Sequence, residues 1–399
     1  MKLTVCVETT RASQWTVGAV LRDGVNRMPV TASPHQWKVL RALTACRTGA
    51  LGGCTYECQD CHQAHTIAFG CGNRHCPECQ GRLAHQWLEQ QQSRLLPVPY
   101  FHLVFTLPHT LNPLIRQNRE PLYELLLESA SQTLLEFGRN RFGGEIGVTM
   151  VLHTWGQRLN EHYHVHAIVT GGGWAQDVGW RQVTNVNYLF SIQALSRVFH
   201  GKFCDGLQHL RRDGQLQYHG QEAALEVEAN FQRMMREASA QKWVVYAKKP
   251  FAGPQTVLRY LSNYTHRVGM SSRRILSLDR SGHQVAFRYR DYARGGCIRA
   301  MQLDTGEFAR RFALHILPRG FGKVRHYGLL ANRGRAARLE KIRAAIALSR
   351  PSTRRPKAPQ PAGKLPRPQL QCPRCQSPRL RLLWTARLTR RRQPGSDTS

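Results

Sequence analysis

The chain has 399 residues, of which 41% are hydrophobic, so it can form two or three domains with at least one large core. It carries 57 Lys and Arg against 25 Asp and Glu, a formal net charge of +32, which favours a polyanionic partner such as nucleic acid over a neutral one. No apolar stretch approaches the ~18–20 residues of a membrane span, and the first residues lack a secretory pattern. We therefore expect a cytoplasmic, nucleoid-associated protein.

Composition along the chain predicts four zones. Residues 1–33 form a poorly patterned arm, and residues 34–95 form a small domain whose first helix is capped by Ser33. Residues 96–335 mix strands with helices, and residues 336–399 form a basic, proline-rich tail. This order predicts an α+β fold, an antiparallel sheet with flanking helices preceded by a small cysteine-rich domain.

Within residues 96–335 the elements follow from residue patterning. Runs rich in β-branched and aromatic residues predict strands at YFHLVFTLP, IGVTMVLHTW, the histidine-rich segment that follows, RILSLDR and QVAFRYRDY. Periodic apolar residues predict helices at LIRQNREPLYELLLESASQTLLEFGRN, ALEVEANFQRMMREASA and TVLRYLSNYTHRVG.

Twelve cysteines in a chain without an export signal indicate thiolates on metal rather than disulfides. Cys58-x2-Cys61 and Cys76-x2-Cys79 are two such pairs separated by 14 residues, a spacing that predicts one tetrahedral, structural Zn²⁺ site. Four thiolates leave no open position for a substrate, so this domain is expected to bind DNA rather than to catalyse a reaction. The nearby charge expected to contact DNA is on Arg74 and Arg82.

Other cysteines leave alternatives open. Cys54, Cys71 and His75 lie in the same segment and either form part of a second zinc site or pack in the domain. Cys372-x2-Cys375 in the tail is an isolated pair, half of a zinc ribbon without a visible second half.

The segment LNEHYHVHAIVTGGG, residues 159–173, places His162, His164 and His166 at alternate positions. Residues i and i+2 of a strand share a face about 7 Å apart, from which imidazoles can converge on one divalent ion. The alternative is a solvated polar face without metal. Imidazoles alone suit Mg²⁺ or Mn²⁺ poorly, but such an ion can be held where substrate oxygens complete its shell.

A nucleophile is offered by Tyr260 and Tyr264, which stand four residues apart on one face of a predicted helix. The alternative is that Tyr264 packs in the apolar stripe of that helix. Basic side chains suited to phosphate contact surround the pair: Arg259, His266 and Arg267.

The chain resembles the two-tyrosine HUH transposases, the rolling-circle insertion-sequence enzymes of bacteria. The resemblance runs from about residue 34 to 335 and is carried by CRTGALGG, CGNRHCPECQ, FHLVFTLPH, HTWGQRLNEHYHVHAIVTGGG, VLRYLSNYTHRVGMS and LPRGFGKVRHYGLLANRGR. The family's His-hydrophobic-His pair falls on His164 and His166, and its tyrosine pair falls on Tyr260 and Tyr264. Two positions depart from the family pattern: Tyr163 stands where proline is common, and Cys54 where histidine often follows LGG.

The resemblance implies a mechanism. A divalent ion, Mg²⁺ or Mn²⁺, on His164 and His166 would polarise a phosphodiester of single-stranded or hairpin DNA ends, and a tyrosine would attack to give a 5′-phosphotyrosine and a free 3′-OH. Rejoining needs no nucleotide, in keeping with a sequence that lacks a phosphate-binding GxxxxGK[ST] loop. The third ligand is Gln157 or His162, and we favour Gln157 because neighbouring histidines on one strand would crowd the ion.

Two other functions compete with the transposase: a rolling-circle replication initiator, and a non-catalytic zinc-dependent DNA-binding protein whose histidines and tyrosines are core residues. Because residues 331–399 carry 18 Lys and Arg against two acidic residues, truncation after about residue 335 is expected to weaken DNA binding and to leave nicking intact.

Overall fold

The computed structural model describes residues 15–29, 32–81, 95–248, 251, 256–257, 267–348 and 370–386. The described residues divide into two compact units. One unit comes from residues 1–81, 270–313 and 356–399, and we call it the zinc unit. The other comes from residues 82–269 and 314–355, and we call it the histidine unit.

The described helices are α1 (Val17–Gly24), α2 (Pro34–Thr44), α3 (Asn112–Gln117), α4 (Arg119–Phe142), α5 (Ile192–Arg212), α6 (Glu228–Ala240), α7 (Thr305–Leu314) and α8 (Arg335–Leu348). The described strands are β1 (Gly53–Cys58), β2 (Ala64–Ala68), β3 (Tyr100–Thr106), β4 (Glu145–Trp155), β5 (Glu161–Ala175), β6 (Gly179–Gln182), β7 (Val244–Lys248), β8 (Ile275–Asp279), β9 (Gln284–Asp291), β10 (Cys297–Asp304), β11 (Val324–Gly328) and β12 (Leu380–Ala386). Within these described ranges, no helix combines the length and the apolar character needed to cross a bilayer.

The histidine unit is built on an antiparallel sheet. Its strand order is β11-β4-β5-β3-β7, and β6 pairs with β5 beside this path. Strand β5 is therefore central, with β4 on one side and β3 on the other. Because hairpin-connected antiparallel strands expose alternate side chains to opposite faces, each of these strands contributes to two different packing layers.

The two faces of this sheet bury different sets of side chains. Tyr163, Val165, Ala167 and Val169 of β5 lie in the larger apolar cluster, which also contains residues of α4 and α5. On the opposite face Ile168 belongs to a smaller cluster. That cluster includes three buried residues of α8, Leu339, Ile342 and Ile346. The histidines of β5 alternate with the first set, as predicted, and so lie on the α8 side of the sheet.

The zinc unit contains two three-stranded antiparallel sheets, ordered β12-β1-β2 and β10-β9-β8. Helix α2 begins where the sequence predicts: Ser33 Oγ accepts the Gln36 backbone N–H at 3.3 Å, and the Gln36 side chain accepts the Ser33 N–H at 2.8 Å. Helix α1 is joined to the second sheet by Asp23, whose carboxylate accepts the Thr305 hydroxyl at 2.7 Å and contacts His283 Nδ1 at 3.1 Å.

The predicted α+β class is confirmed, and β3, β4, β5, β8, β9, α4 and α6 lie in segments predicted for them. Helix α5 was not predicted, and α1, which buries Val17, Val20 and Leu21, lies in the stretch 1–33 that was predicted to be a poorly patterned arm. The linear domain boundaries need correction. Residues 270–313 belong to the zinc unit although they lie inside the predicted 96–335 domain. The prediction of an unstructured tail from residue 336 is wrong for two segments. The first residues of that tail form α8, which buries apolar side chains, and residues 380–386 form β12. Composition missed both because short ordered segments were averaged with the proline-rich stretch between them.

Candidate metal centres and active site

Three histidines from β4 and β5 converge on the α8 face of the sheet. The ring nitrogens that His153, His164 and His166 can offer to a metal all lie within 4.8 Å of one another. The hairpin register explains the meeting, because His153 pairs directly with His164 across the two strands. All three rings are buried, with 2%, 9% and 8% of their surface exposed. The arrangement can hold one divalent ion.

The third histidine of this group, His153, is not one of the ligands that the sequence predicted. His162 stays outside the group, and its ring stacks on His109 with 5.4 Å between ring centroids. Gln157 lies half-buried in the turn between β4 and β5, and its role as a ligand stays a prediction. His153 was missed although HTWGQ contains it. Folding the two strands as a hairpin about the intervening turn would have placed it opposite His164.

Hydrogen bonds fix the ring nitrogens of the central pair. His164 Nδ1 donates to the backbone carbonyl of His162 at 2.9 Å, which leaves Nε2 as the nitrogen with a lone pair. His166 Nδ1 lies 2.9 Å from Nε2 of His102, a fully buried residue of β3. Metal-ligating histidines commonly bond through their second nitrogen, which sets the tautomer and the ring orientation. His102 was not predicted, although it interrupts the apolar run of YFHLVFTLP.

Burial keeps these imidazoles neutral. It lowers the pKa of His164 to about 3, with a further contribution from the charge of His162. It also holds the pKa of His166 well below the usual range, assisted by His153, His164 and His102. Neutral imidazole is the form that binds a metal ion, so the group is chemically ready for one at neutral pH.

The predicted nucleophiles, Tyr260 and Tyr264, and the predicted DNA contact Arg259 lie outside the described residues. Of the described residues nearest to them in sequence, Val257 lies on the histidine side of the sheet. Val257 is fully buried in the same apolar cluster as Ile168. The positive charge of Arg267 contributes to the low pKa of His164 and of His166, after burial and the neighbouring histidines.

The zinc unit holds one cluster of four cysteines within the segment CRTGALGG to CGNRHCPECQ. Its members, whose sulfurs lie within 4.8 Å of one another, are Cys46, Cys71, Cys76 and Cys79. The Cys46 sulfur lies 3.7 Å from that of Cys79 and 3.6 Å from that of Cys76. Backbone N–H groups point at the sulfurs, with Cys71 N–H donating to Cys46 Sγ at 3.4 Å. A Cβ at Gly70 would stand 3.0 Å from Cys79 Sγ, so the chain passes close to the cluster.

A second cluster joins the two isolated CxxC pairs. Cys58 and Cys61 meet Cys372 and Cys375, with Sγ–Sγ distances of 3.5 Å for Cys58–Cys375 and 3.6 Å for Cys61–Cys372. The prediction of a single zinc site formed by Cys58, Cys61, Cys76 and Cys79 is therefore wrong, because the two pairs lie in different clusters. Spacing along the chain identified the pairs but could not tell which pairs meet, because β12 brings Cys372 and Cys375 from more than 300 residues away.

The other predicted zinc-unit residues are placed as follows. Cys54 and His75 lie outside both cysteine clusters of the described residues, so the proposed second site of Cys54, Cys71 and His75 is corrected. The sulfur of Cys54 lies 3.8 Å from the Ile67 carbonyl oxygen on the neighbouring strand. Arg74 is half-buried, and burial lowers its pKa. Arg82 lies outside the described residues, and DNA contact by either arginine stays a prediction.

Comparisons with known proteins identify relatives of this chain. Residues 147–338 match the family described as "Putative transposase", and residues 21–107 match the "Transposase zinc-binding domain". The chain is 38% identical over 322 residues to "Putative transposase y4qJ" of Sinorhizobium fredii, covering 80% of each chain. It is 31% identical over 313 residues to the "Transposase for insertion sequence element IS801" of Pseudomonas savastanoi pv. phaseolicola, covering 77% of this chain and 73% of that one.

The chain belongs to the IS91/IS801 family of transposases. The transposase match contains His153, His164 and His166, and the zinc-domain match contains all four cysteines of the first cluster. Neither match reaches Cys372 or Cys375. Among solved structures, 42% of this transposase aligns with 71% of "Conjugative Relaxase Trwc In Complex With Orit DNA. Metal-Bound Structure", at 16% identity and a TM-score of 0.24. That score is below the level that defines a shared fold.

Proposed function

We propose that this transposase cuts and rejoins single-stranded DNA ends of its element through a covalent phosphotyrosine, in a metal-dependent reaction of the rolling-circle type. The observation that carries the proposal is the group of three buried, converging imidazoles on two paired strands. A solvated polar face would be exposed, whereas His153, His164 and His166 are nearly inaccessible and point toward one another. The interpretation of these histidines as ordinary core residues also fails to explain why three polar rings share one buried position.

The donor set defines what the site would hold. His153, His164 and His166 would bind a divalent ion through ring nitrogens, a set that suits Mn²⁺ better than Mg²⁺ because Mg²⁺ demands oxygen ligands. When bound, such an ion acts as a Lewis acid on an oxygen of the scissile phosphate. His102 holds the ring of His166 from behind, and the carbonyl of His162 holds that of His164.

The chemical step follows from the proposed nucleophiles. A phenol oxygen of Tyr260 or Tyr264 attacks the phosphorus and loses its proton. The bond from phosphorus to the 3′ oxygen breaks, and that oxygen leaves as a 3′-OH after taking up a proton. The phosphate stays on tyrosine as a diester, so a later 3′-OH can reverse the step without a nucleotide. Two tyrosines would allow one strand to be held while a second is cut.

The local structure supports tyrosines at this site. The ten-residue stretch from Val257 to the residue before Arg267 contains both tyrosines. Val257 packs in the apolar cluster on the histidine side of the sheet, and the charge of Arg267 acts on His164 and His166. In sequence, Tyr260 is three residues from Val257 and Tyr264 is three residues from Arg267, so both proposed nucleophiles are close to residues that are associated with the histidine group. Arg259 and Arg267 would contact the flanking phosphates.

The decisive experiment traps the covalent intermediate. Full-length protein is incubated with Mn²⁺ and a suicide oligonucleotide of the element end, and the SDS-stable adduct is digested and sequenced by mass spectrometry. We expect phosphotyrosine on Tyr260 or Tyr264, loss of the adduct in the double variant Tyr260→Phe/Tyr264→Phe, and an unchanged yield in Tyr246→Phe, a control at an exposed tyrosine of β7. An adduct that persists in the double variant would refute the nucleophile assignment. Tight DNA binding without any adduct would favour the non-catalytic zinc-dependent protein.

A further inference from the structure

The CxxC pair near the end of the chain lies outside both family matches, yet the structure gives it a complete partner. Cys372 and Cys375 meet Cys58 and Cys61 with all four sulfurs within 4.8 Å. In a tetrahedral ZnS₄ centre with Zn–S of about 2.3 Å, neighbouring sulfurs are ~3.8 Å apart. The observed distances of 3.5 Å and 3.6 Å are close to this value and far from the ~2.05 Å of a disulfide.

The two halves of this cluster have the same backbone design. The residue after the second cysteine is left-handed in both, with φ of 53° at His62 and 61° at Gln376. In both, the N–H of this residue donates to the carbonyl of the first cysteine at 2.9 Å. In both, the N–H of the first cysteine, Cys58 or Cys372, donates at 2.9 Å to the carbonyl of the residue five positions later. Two knuckles of identical construction that face one another are what a four-thiolate zinc ribbon requires.

Further contacts attach the second knuckle to the first. Strand β12 pairs antiparallel with β1 from Gly53 to Cys58, so the chain adds a strand to the zinc unit directly after Cys375. Arg381 pairs with Glu57 at 2.5 Å, and Arg379 forms an ion pair with Asp60. His65 of β2 places Nε2 3.4 Å from Cys372 Sγ. These contacts orient the cysteines from both sides.

We infer that Cys58, Cys61, Cys372 and Cys375 form a second structural zinc site, separate from the Cys46 cluster, that fastens β12 to the zinc unit. Most of β12 is exposed, so the strand buries little apolar surface of its own. Zinc binding would then supply the stabilisation of this strand that apolar packing does not, as it does in other small metal-binding domains. As a consequence, the basic residues that follow β12 in the sequence are joined to a strand that is fixed to the zinc unit.

The test counts zinc in purified, reduced full-length protein after mild chelation, which should remove any ion from the histidine group and leave the ions held by four thiolates. We expect two zinc ions per chain in the native protein and one in Cys375→Ser, whose side chain is exposed enough that folding should survive. Cys375→His should restore the second ion, because Cys3His is also a common zinc donor set. Cys297→Ser, at an exposed cysteine of β10, is the matched control and should keep two.

Hydrogen exchange gives a second readout that does not depend on activity. Peptides covering Leu380–Ala386 should lose protection in Cys375→Ser and regain it in Cys375→His, while peptides of β5 stay unchanged. Two zinc ions retained in Cys375→Ser, or a single ion in the native protein that Cys375→Ser does not remove, would overturn the inference. If Cys375→Ser loses both zinc ions, Cys375→His decides the question. Two zinc ions per chain in Cys375→His would support the site, and fewer would refute it.

Discussion

His102 Nε2 lies 2.9 Å from His166 Nδ1, so a fully buried histidine of β3 holds the back of a predicted metal ligand on β5. The two rings stack with 5.2 Å between their centroids. Because β3 and β5 are paired neighbours in the sheet, this contact is part of the sheet's framework rather than of a mobile loop. We therefore infer that His102 positions the ring of His166 for the proposed metal site.

Replacement of His102 should weaken metal binding more than folding. We expect His102→Ala to raise the Mn²⁺ concentration needed for half-maximal DNA cleavage by about 10–100-fold, the usual effect of losing such a partner, with cleavage recovering at saturating Mn²⁺. His102→Gln, which keeps a hydrogen-bonding group in the cavity, should recover part of this loss. Cleavage titrations and direct Mn²⁺ binding by calorimetry measure both. An unchanged Mn²⁺ requirement in His102→Ala would contradict the assignment.

The third ligand can be identified by comparing three alanine variants. We expect both His153→Ala and His164→Ala to abolish cleavage, because both rings belong to the converging group. His162→Ala should retain most activity, since that ring stacks on His109 outside the group. Gln157→Ala tests the prediction from sequence that Gln157 is the third ligand, and it should also retain activity if His153 has that role. Rates are measured on a labelled oligonucleotide with thermal melting as the folding control, and a dead Gln157→Ala beside an active His153→Ala would reverse the assignment.

The choice of ion follows from the imidazole donors. We expect cleavage to be faster and to require a lower concentration with Mn²⁺ than with Mg²⁺, because nitrogen ligands favour transition ions. Removal of the ion with a chelator should stop DNA cleavage. The protein should stay folded under mild chelation, because four thiolates would hold zinc far more tightly than three imidazoles hold Mn²⁺. Activity assays paired with circular dichroism test this. Equal activity in chelator-treated protein would argue against a metal-dependent step.

The revised role of α8 changes what truncation should do. Ile342 is fully buried beside Leu339 and Ile346 on the histidine face, so Ile342→Ala should cost about 2–5 kcal/mol of unfolding free energy. Leu348→Ala, at an 87% exposed position of the same helix, is the matched control and should cost little. Truncation after residue 335 is now expected to destabilise the histidine unit and to reduce nicking, contrary to the expectation from charge alone. Denaturant titration of each variant measures the difference.

The excess of positive charge should appear as a steep salt dependence. If ~6–10 phosphates are neutralised, affinity for single-stranded DNA should fall by ~10³–10⁵ between 50 and 200 mM salt. Truncation after residue 386 removes four arginines, Arg387, Arg390, Arg391 and Arg392, and leaves every described residue in place. This variant should show a shallower slope of log affinity against log salt. Fluorescence anisotropy at several salt concentrations gives the slope, and an identical slope would mean that these arginines do not contact DNA.

Local features of the sequence were enough to predict much of the chemistry of this protein. Alternation in residues 161–175 determined that His164 and His166 share a face, since a strand repeats every two residues whatever surrounds it. The CxxC spacings identified the cysteine pairs, and Ser33 marked the start of α2, because all of these are local features. Motif blocks in one order were enough to indicate the transposase family.

Which of these groups meet became known only from the three-dimensional fold. His153 joins the histidine group through hairpin register, His102 reaches His166 from another strand, and Cys372 and Cys375 close a cluster with Cys58 and Cys61. Each contact joins residues that lie on different strands, and for the second cysteine cluster the separation exceeds 300 residues. Local periodicity carries no information about such partners, because strand pairing and chain return are settled by the free energy of the whole fold rather than by any one segment.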